Sequence, residues 1–373
     1  MGKGRDSEHQ YDFDGERTCL LKVNLQVLNI GMISILKKKL AQHLQLKHFL
    51  ITGHSRNGFY LLLKAYNWDK ESEIIIPAFT CSIIPMTIEL AGNKYVPCDA
   101  EKDGLNIDPE EIKKAITKNT KAIYVVHTYG NAAKIDTICE IAKKHNLIVI
   151  EDLAHSLLYS YKGKKLGTYG DFSLLCFTKK IINFEGGAVG TNHTDIYNRM
   201  RALQLKYHSK KNFDYKDVLE KYGRIYGSYW ESKFPFWIVW SSYIQYLIYM
   251  AFFHKKVFDE KQWFRVDNNK FIPSKISALI TAGQLDLLKT RNKEMDYLKF
   301  KNKFKNKIQV YDKDLGEDDT PPAYYSGTII KDNFLLKKIC IPTWRNFNPV
   351  GKYPRADYLY TNYKIFSKII MYL

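Results

Sequence analysis

Residues 122–156, AIYVVHTYGNAAKIDTICEIAKKHNLIVIEDLAHS, decide the fold. Two apolar runs, Ala122–His127 and Leu147–Glu151, flank a segment, Ile135–His145, whose apolar residues recur at helical spacing. A strand that is apolar at nearly every position is covered on both faces. Two such strands joined by a helix read as neighbours in a parallel sheet. Ligands of such sheets sit beyond the carboxyl ends of the strands, so the residues following each run are where function is to be sought.

The same alternation extends in both directions. Upstream, a helix over about Met32–Leu46 leads into an apolar strand, His48–Thr52, and Ser55-Arg56-Asn57-Gly58 opens a helix over Phe59–Tyr66. Strands are predicted at Glu73–Pro77 and Lys94–Cys98, with helices at Ser82–Ala91 and Pro109–Thr117. The rhythm fades after Thr191. Residues 1–200 are therefore expected to form a large domain, 201–270 an aromatic insertion, and 271–373 a small C-terminal domain. A helix over Ser274–Phe304, apolar at Ile276, Leu279, Ile280, Leu285 and Leu288, is expected to pack between the domains.

With 373 residues, 45% of them hydrophobic and 26% charged, the chain is globular rather than disordered. Its 57 Lys and Arg against 39 Asp and Glu give a net charge of +18, a field that favours acidic partners. The lysines are dispersed, with one triplet at Lys37-Lys38-Lys39, and no nucleic-acid-binding spacing accompanies them, so no nucleic-acid partner is expected. Six single cysteines, with no CxxC pair, argue against a zinc site or disulfide framework and fit a reducing cytosol. The opening MGKGRDSEHQ lacks an apolar core, so no signal peptide is expected. Phe234–Phe253 is twenty residues without a charge. Its Pro235, Ser241, Ser242, Gln245 and three tyrosines favour a helix buried between subunits over a span. Peripheral contact with a bilayer through Trp237 and Trp240 is the next reading.

Four positions at strand ends carry chemistry, and each has two readings. Glu151-Asp152 with His155 places a carboxylate that can hold a protonated ring nitrogen, or else caps a helix. Lys179-Lys180 follows the strand-like Phe172–Phe177 and supplies an amine for a Schiff base, or else two solvated charges. Glu185-Gly186-Gly187 permits a close backbone approach or an ordinary turn. Ser55-Arg56-Asn57-Gly58 is a helix N-terminus suited to phosphate, or a plain cap.

Their order, together with the text of SRNGFYLLLKA (55–65), IIIPAFTC (74–81), IVIEDLAHS (148–156), GDFSLLCFTKKIINFEGGAVGTN (170–192) and SKISALITAGQLDLLKTRNKE (274–294), resembles the DegT-like sugar aminotransferases. These are pyridoxal-phosphate (PLP) enzymes of fold type I. The resemblance implies an α/β fold, with a seven-stranded, mostly parallel sheet in the large domain and a small C-terminal α+β domain. It implies a homodimer with a shared active site. It also implies a reaction that aminates a nucleotide-linked ketosugar with glutamate, for surface polysaccharide or glycan biosynthesis.

Carried across by position, Lys179 matches the Schiff-base lysine, with Lys180 as its alternative. Asp152 matches the carboxylate on the pyridine nitrogen, and His155 the group beside the phenolic oxygen. Arg56 and Asn57 match the phosphate-cradling amides, and Ser173 the nearest hydroxyl to the family's phosphate serine. Cys81 stands where a stacking aromatic is usual, with Phe79 as the alternative stacking ring. Where the family has Gly-x-Asn-x-Arg, this chain reads Asn268-Asn269-Lys270-Phe271-Ile272, and Lys270, from the partner subunit, is the candidate cofactor-phosphate contact in place of the family's asparagine. Two further readings compete: a PLP-dependent sugar dehydratase, whose family members commonly carry histidine where Lys179 stands, and a non-catalytic, basic, membrane-associated binding protein on the same scaffold.

Overall fold

The computed structural model describes residues 31–179, 183, 185–207, 271–273 and 275–285. In the C-terminal part it describes 302–303, 306, 308–309, 326–329, 340–342, 347–349 and 351–366. Lys180, Lys270 and the uncharged run 234–253 lie outside the described residues, as does the expected insertion beyond residue 207. The expected helix Ser274–Phe304 is described over Lys275–Leu285, with a further short helical stretch at 302–303.

A helix over 31–44 (α1) precedes β1 (His48–Thr52) and α2 (Ser55–Tyr66). There follow β2 (Glu73–Pro77), α3 (Ile83–Ala91), β3 (Lys94–Cys98), α4 (Pro109–Ala115), β4 (Thr120–Val126), α5 (Ile135–Lys144) and β5 (Ile148–Asp152). A small hairpin of β6 (Ser160–Tyr161) and β7 (Lys164–Lys165) leads to β8 (Phe172–Cys176), β9 (Gly187–Thr191) and α6 (Thr194–Tyr207). The seven large strands form one sheet in the order β1-β9-β8-β5-β4-β2-β3. Only β9 runs against its neighbours.

Local chemistry sets the helix ends. Asp108 caps α4 by accepting the Glu110 N–H, Pro109 occupies the first turn, and Lys113 and Lys114 close the last. Helix α2 stops at Asn67, which takes the left-handed conformation at φ 52°. Alternation along the strands sends side chains to two cores. Ala122, Tyr124, Val126, Ile150, Phe172 and Leu174 face one, while Ile123, Val125, Val149, Leu175 and Phe177 face the other. Ile74, Ile75 and Ile76 are all fully buried, each contributing roughly 1.5–3 kcal/mol of transfer free energy.

Helix α7 (Lys275–Leu285) packs on the main sheet through Ala278, Ala282 and Leu285. A second, antiparallel sheet contains β10 (Ile308–Gln309), β11 (Ser326–Ile329), β12 (Cys340–Pro342) and β13 (Tyr363–Phe366), with α8 (Pro354–Asn362) before β13. Arg355 ties α8 to the end of β3 and to α4 by reaching Asp99 at 3.2 Å, Asp108 at 2.8 Å and Glu111 at 3.2 Å. Asp99 also accepts the backbone N–H groups of Arg355 and Ala356, capping α8 from another element. Among the described residues no helix is long and apolar enough to cross a membrane.

Candidate active site

A cavity of about 490 Å³ opens at the carboxyl ends of β4, β5 and β8. The chain reaches it wherever a strand ends and the backbone must turn. The β1–α2 turn brings His54, Ser55 and Arg56, and the turn after β2 brings Thr80 and Cys81. The end of β5 brings Asp152, Ala154 and His155, and the end of β8 brings Cys176, Thr178 and Lys179.

Asp152 is buried, and its Oδ1 accepts the Ala154 N–H at 2.8 Å while Oδ2 accepts the Tyr124 hydroxyl at 2.8 Å. Burial pushes its carboxyl above the ordinary range, opposed by those two bonds and by the nearby Lys179 charge. No helix follows it at 153–159, so the helix-cap reading of this aspartate does not hold. Tyr124, fully enclosed beside that carboxylate, is driven well above the usual phenol value and keeps its proton.

Lys179 Nζ lies 3.0 Å from His155 Nε2, and His155 Nδ1 accepts the Tyr129 N–H at 3.2 Å. The lysine sits in a turn closed by the Phe177 N–H to Gly186 carbonyl bond. Gly186 has φ +117°, a conformation only glycine adopts readily. From α7, Ser277 donates to the Glu185 carbonyl, while Asn183 donates to Ser277 and Thr281. The SKISALIT helix therefore holds the lysine turn in place.

At the other end, Arg56 and the first turn of α2 bound the cavity. Burial lowers the Arg56 guanidinium from its ordinary value, with the Cys176 and Cys81 thiols beside it. Gly187 lets β9 approach this turn, because a Cβ there would stand 2.4 Å from the Ser55 nitrogen. His54, not Ser55, precedes the helix, and it makes no side-chain cap. The first amides of a helix have no intrahelical acceptor, so this end presents N–H groups to an anion.

The structure brings Arg56, Cys81, Asp152, His155 and Lys179 to one cavity and places three other candidates outside its lining. Asn57 is not among the residues lining it, and its backbone N–H donates to the His54 carbonyl at 3.1 Å. Ser173 shares a strand face with Leu175 and Phe177, opposite the face of Leu174 that borders the cavity side. It is fully buried, with Oγ 3.5 Å from the Gly190 carbonyl. Phe79 is packed away from the cavity, 4.9 Å from the Tyr360 ring and 6.5 Å from the Tyr129 ring. Sequence reasoning missed His54, Tyr124 and Thr178. For Tyr124 the signal was available: a phenol in the otherwise aliphatic stretch Ala122–Val126, two residues before Val126, which pairs with Asp152.

Cavity, lysine and buried carboxylate at the carboxyl ends of a mostly parallel sheet define an α/β protein of fold type I architecture. Residues 29–226, more than half of the chain, match the DegT/DnrJ/EryC1/StrS aminotransferase family, and the chain belongs to that family. An uncharacterized protein, MJ1066, of Methanocaldococcus jannaschii is 38% identical over 173 residues, covering 44% of this chain and 45% of that one. GDP-perosamine synthase of Caulobacter vibrioides is 34% identical over 170 residues, covering 45% and 46%. The matched stretch thus spans about half the length of these curated relatives. Among solved structures, 3-amino-5-hydroxybenzoic acid synthase superposes with a TM-score of 0.70 at 17% identity, covering 99% of this chain and 94% of that one. The Helicobacter pylori aminotransferase PseC gives 0.66 at 17%, covering 90% and 85%. At such identities the likeness is one of fold.

Proposed function

We propose that the protein is a PLP-dependent aminotransferase that converts a nucleotide-linked ketosugar to an aminosugar with glutamate as amino donor. The observation that carries this reading is the convergence of Lys179, His155, Asp152 and the Arg56-bearing helix end on one cavity. That donor set matches the chemistry of PLP group by group. The helix N-terminus and Arg56 suit its phosphate, the buried carboxylate of Asp152 suits a protonated ring nitrogen, and Lys179 suits its aldehyde. Once bound, PLP supplies the electron sink that makes the amine-bearing carbon acidic.

The chain's own residues do the rest. Arg56 and the first turn of α2 anchor the phosphate. Asp152 holds a proton at the ring nitrogen through a charge-assisted bond. His155 donates from Nε2 toward the phenolic oxygen. Lys179 Nζ, as the free amine, would move a proton between the amine-bearing substrate carbon and the carbon that was the cofactor's aldehyde. The apolar wall of Phe59, Ile83, Ile84 and Val126 reduces water near these groups. A lysine at position 179 favours transamination over the dehydratase reading.

The relatives support a sugar substrate. They include GDP-perosamine synthase, a dTDP-3-amino-3,6-dideoxy-α-D-galactopyranose transaminase and a UDP-4-amino-4,6-dideoxy-N-acetyl-β-L-altrosamine transaminase. Their names span three nucleotides, so the proposal is a nucleotide-linked ketosugar rather than one named sugar, and its setting is surface polysaccharide or glycan biosynthesis. We also propose a cytoplasmic homodimer in which the partner subunit completes the site from the region of Lys270, with the run 234–253 buried between subunits or resting peripherally on a membrane.

Purified protein is expected to take up one PLP per chain. Borohydride reduction and peptide mapping should place the pyridoxyl label on Lys179, and Lys179→Ala should abolish it. With glutamate and a ketosugar nucleotide, 2-oxoglutarate should appear. No PLP uptake, or a label elsewhere, overturns the reading.

A further inference from the structure

Tyr124 stands out on its strand. Its two neighbours on that face of β4, Ala122 and Val126, are aliphatic, with Thr120 at the far end of the strand, and Tyr124 is only 3% exposed. A phenol carried into such a core is unfavourable unless its hydroxyl is satisfied. Its partner is the Asp152 Oδ2, at 2.8 Å. The ring is fixed against Phe59, with centroids 4.7 Å apart, so the hydroxyl cannot swing elsewhere without repacking. Oδ1 of Asp152 is meanwhile fixed by the Ala154 N–H. Each carboxylate oxygen thus has one lone pair engaged by a rigid donor, and the remaining capacity faces the cavity.

We infer that Tyr124 is a positioning residue that holds Asp152, through the bond to Oδ2, in the orientation and the anionic form that a protonated ring nitrogen needs. This rests on the PLP reading above. The physical reason is that a buried carboxylate without its donors gains basicity, and a more basic carboxylate draws the proton off the ring nitrogen toward itself. Phenylalanine at this position would fill the same space, so packing alone does not account for the hydroxyl. The alanine and valine beside it on the strand provide no substitute donor.

The test compares wild type, Tyr124→Phe and Asp152→Asn. Two quantities are read: the PLP dissociation constant by equilibrium dialysis, and the ¹⁵N resonance of PLP labelled at the ring nitrogen. Tyr124→Phe is expected to bind PLP about tenfold more weakly, as befits one hydrogen bond to a charged group. Its ring-nitrogen resonance should shift from the wild-type position toward that of Asp152→Asn. A resonance that stays at the wild-type position overturns the inference even if affinity falls, since a merely structural tyrosine would weaken binding without moving the proton. An unchanged affinity overturns it as well. Wild type that takes up no PLP sinks the parent reading together with this one, whereas uptake with no Tyr124 effect sinks this one alone.

Discussion

His155 meets Lys179 with Nε2 3.0 Å from Nζ, while the opposite edge of the ring accepts the Tyr129 N–H at Nδ1. A neutral imidazole that accepts at Nδ1 carries its proton at Nε2. The contact with Nζ fixes where the amine sits at the mouth of the cavity. Tyr129 is held for this task in the left-handed region, at φ 53°, ψ 23°, with its ring stacked on the imidazole at 5.0 Å.

The His155–Lys179 geometry predicts the behaviour of His155→Ala. Attachment of PLP to Lys179, followed as the growth of bound-cofactor absorbance after mixing, should slow by about tenfold, the equivalent of about 1.4 kcal/mol. An unchanged rate would show that the imidazole does not position the amine.

Asp152 gives a pH prediction with a definite sign. Its carboxyl is raised in the ligand-free fold, chiefly by burial. A carboxyl raised on folding contributes stability that is complete below the ordinary carboxylate value, about 4, and is lost as pH rises through the raised value. Ligand-free Asp152→Asn, which has no charge to bury, should therefore exceed wild type in thermal stability at about pH 7. The gap should close toward about pH 4. A variant less stable than wild type at every pH would contradict this account.

Much of this was legible beforehand. The strands at Glu73–Pro77 and Lys94–Cys98 fall where runs between turns put them; the first, buried from Ile74 to Pro77, leaves an unbroken hydrophobic signature, while the second is a half-buried edge strand. Lys179, Asp152, His155 and Arg56 lie at strand ends, a position that topology alone brings to one cavity. Ser173 and Asn57 lie off the cavity for a local reason. Cys176, three residues along the strand from Ser173, lines the cavity from the opposite face, and one residue along the helix start from Arg56 a free amide becomes a bonded one. Tyr360 was illegible because its contacts span 280 residues of chain.

Glu151 occupies the face opposite Asp152, where it organises the turn that leads into β8. One carboxylate accepts the N–H groups of Gly167, Tyr169 and Gly170 at 2.7–2.8 Å, and His127 Nε2 lies 3.2 Å away. Glutamine would replace one acceptor with an amide that points hydrogens at donors. Glu151→Gln is expected to lose about 2–3 kcal/mol in urea denaturation. A loss below about 0.5 kcal/mol would mean that this turn is held by other contacts.

Tyr360 links the C-terminal segment to the cavity wall. Its hydroxyl lies 2.9 Å from the Ala78 carbonyl, 2.9 Å from the Thr80 carbonyl and 3.0 Å from the Thr80 N–H, while Asn348 donates to the same Ala78 carbonyl at 2.6 Å. Those bonds hold the turn that delivers Thr80 and Cys81 to the cavity. Burial raises this phenol above its ordinary value, so it remains a donor at neutral pH. Tyr360→Phe removes only the oxygen and should cost about 1–2 kcal/mol of stability. Because the turn loosens, the PLP dissociation constant should rise about three- to tenfold, measured on protein that is still fully folded at the assay temperature. Reduced stability with unaltered PLP affinity would place the turn's anchorage elsewhere and confine Tyr360 to joining α8 to the sheet.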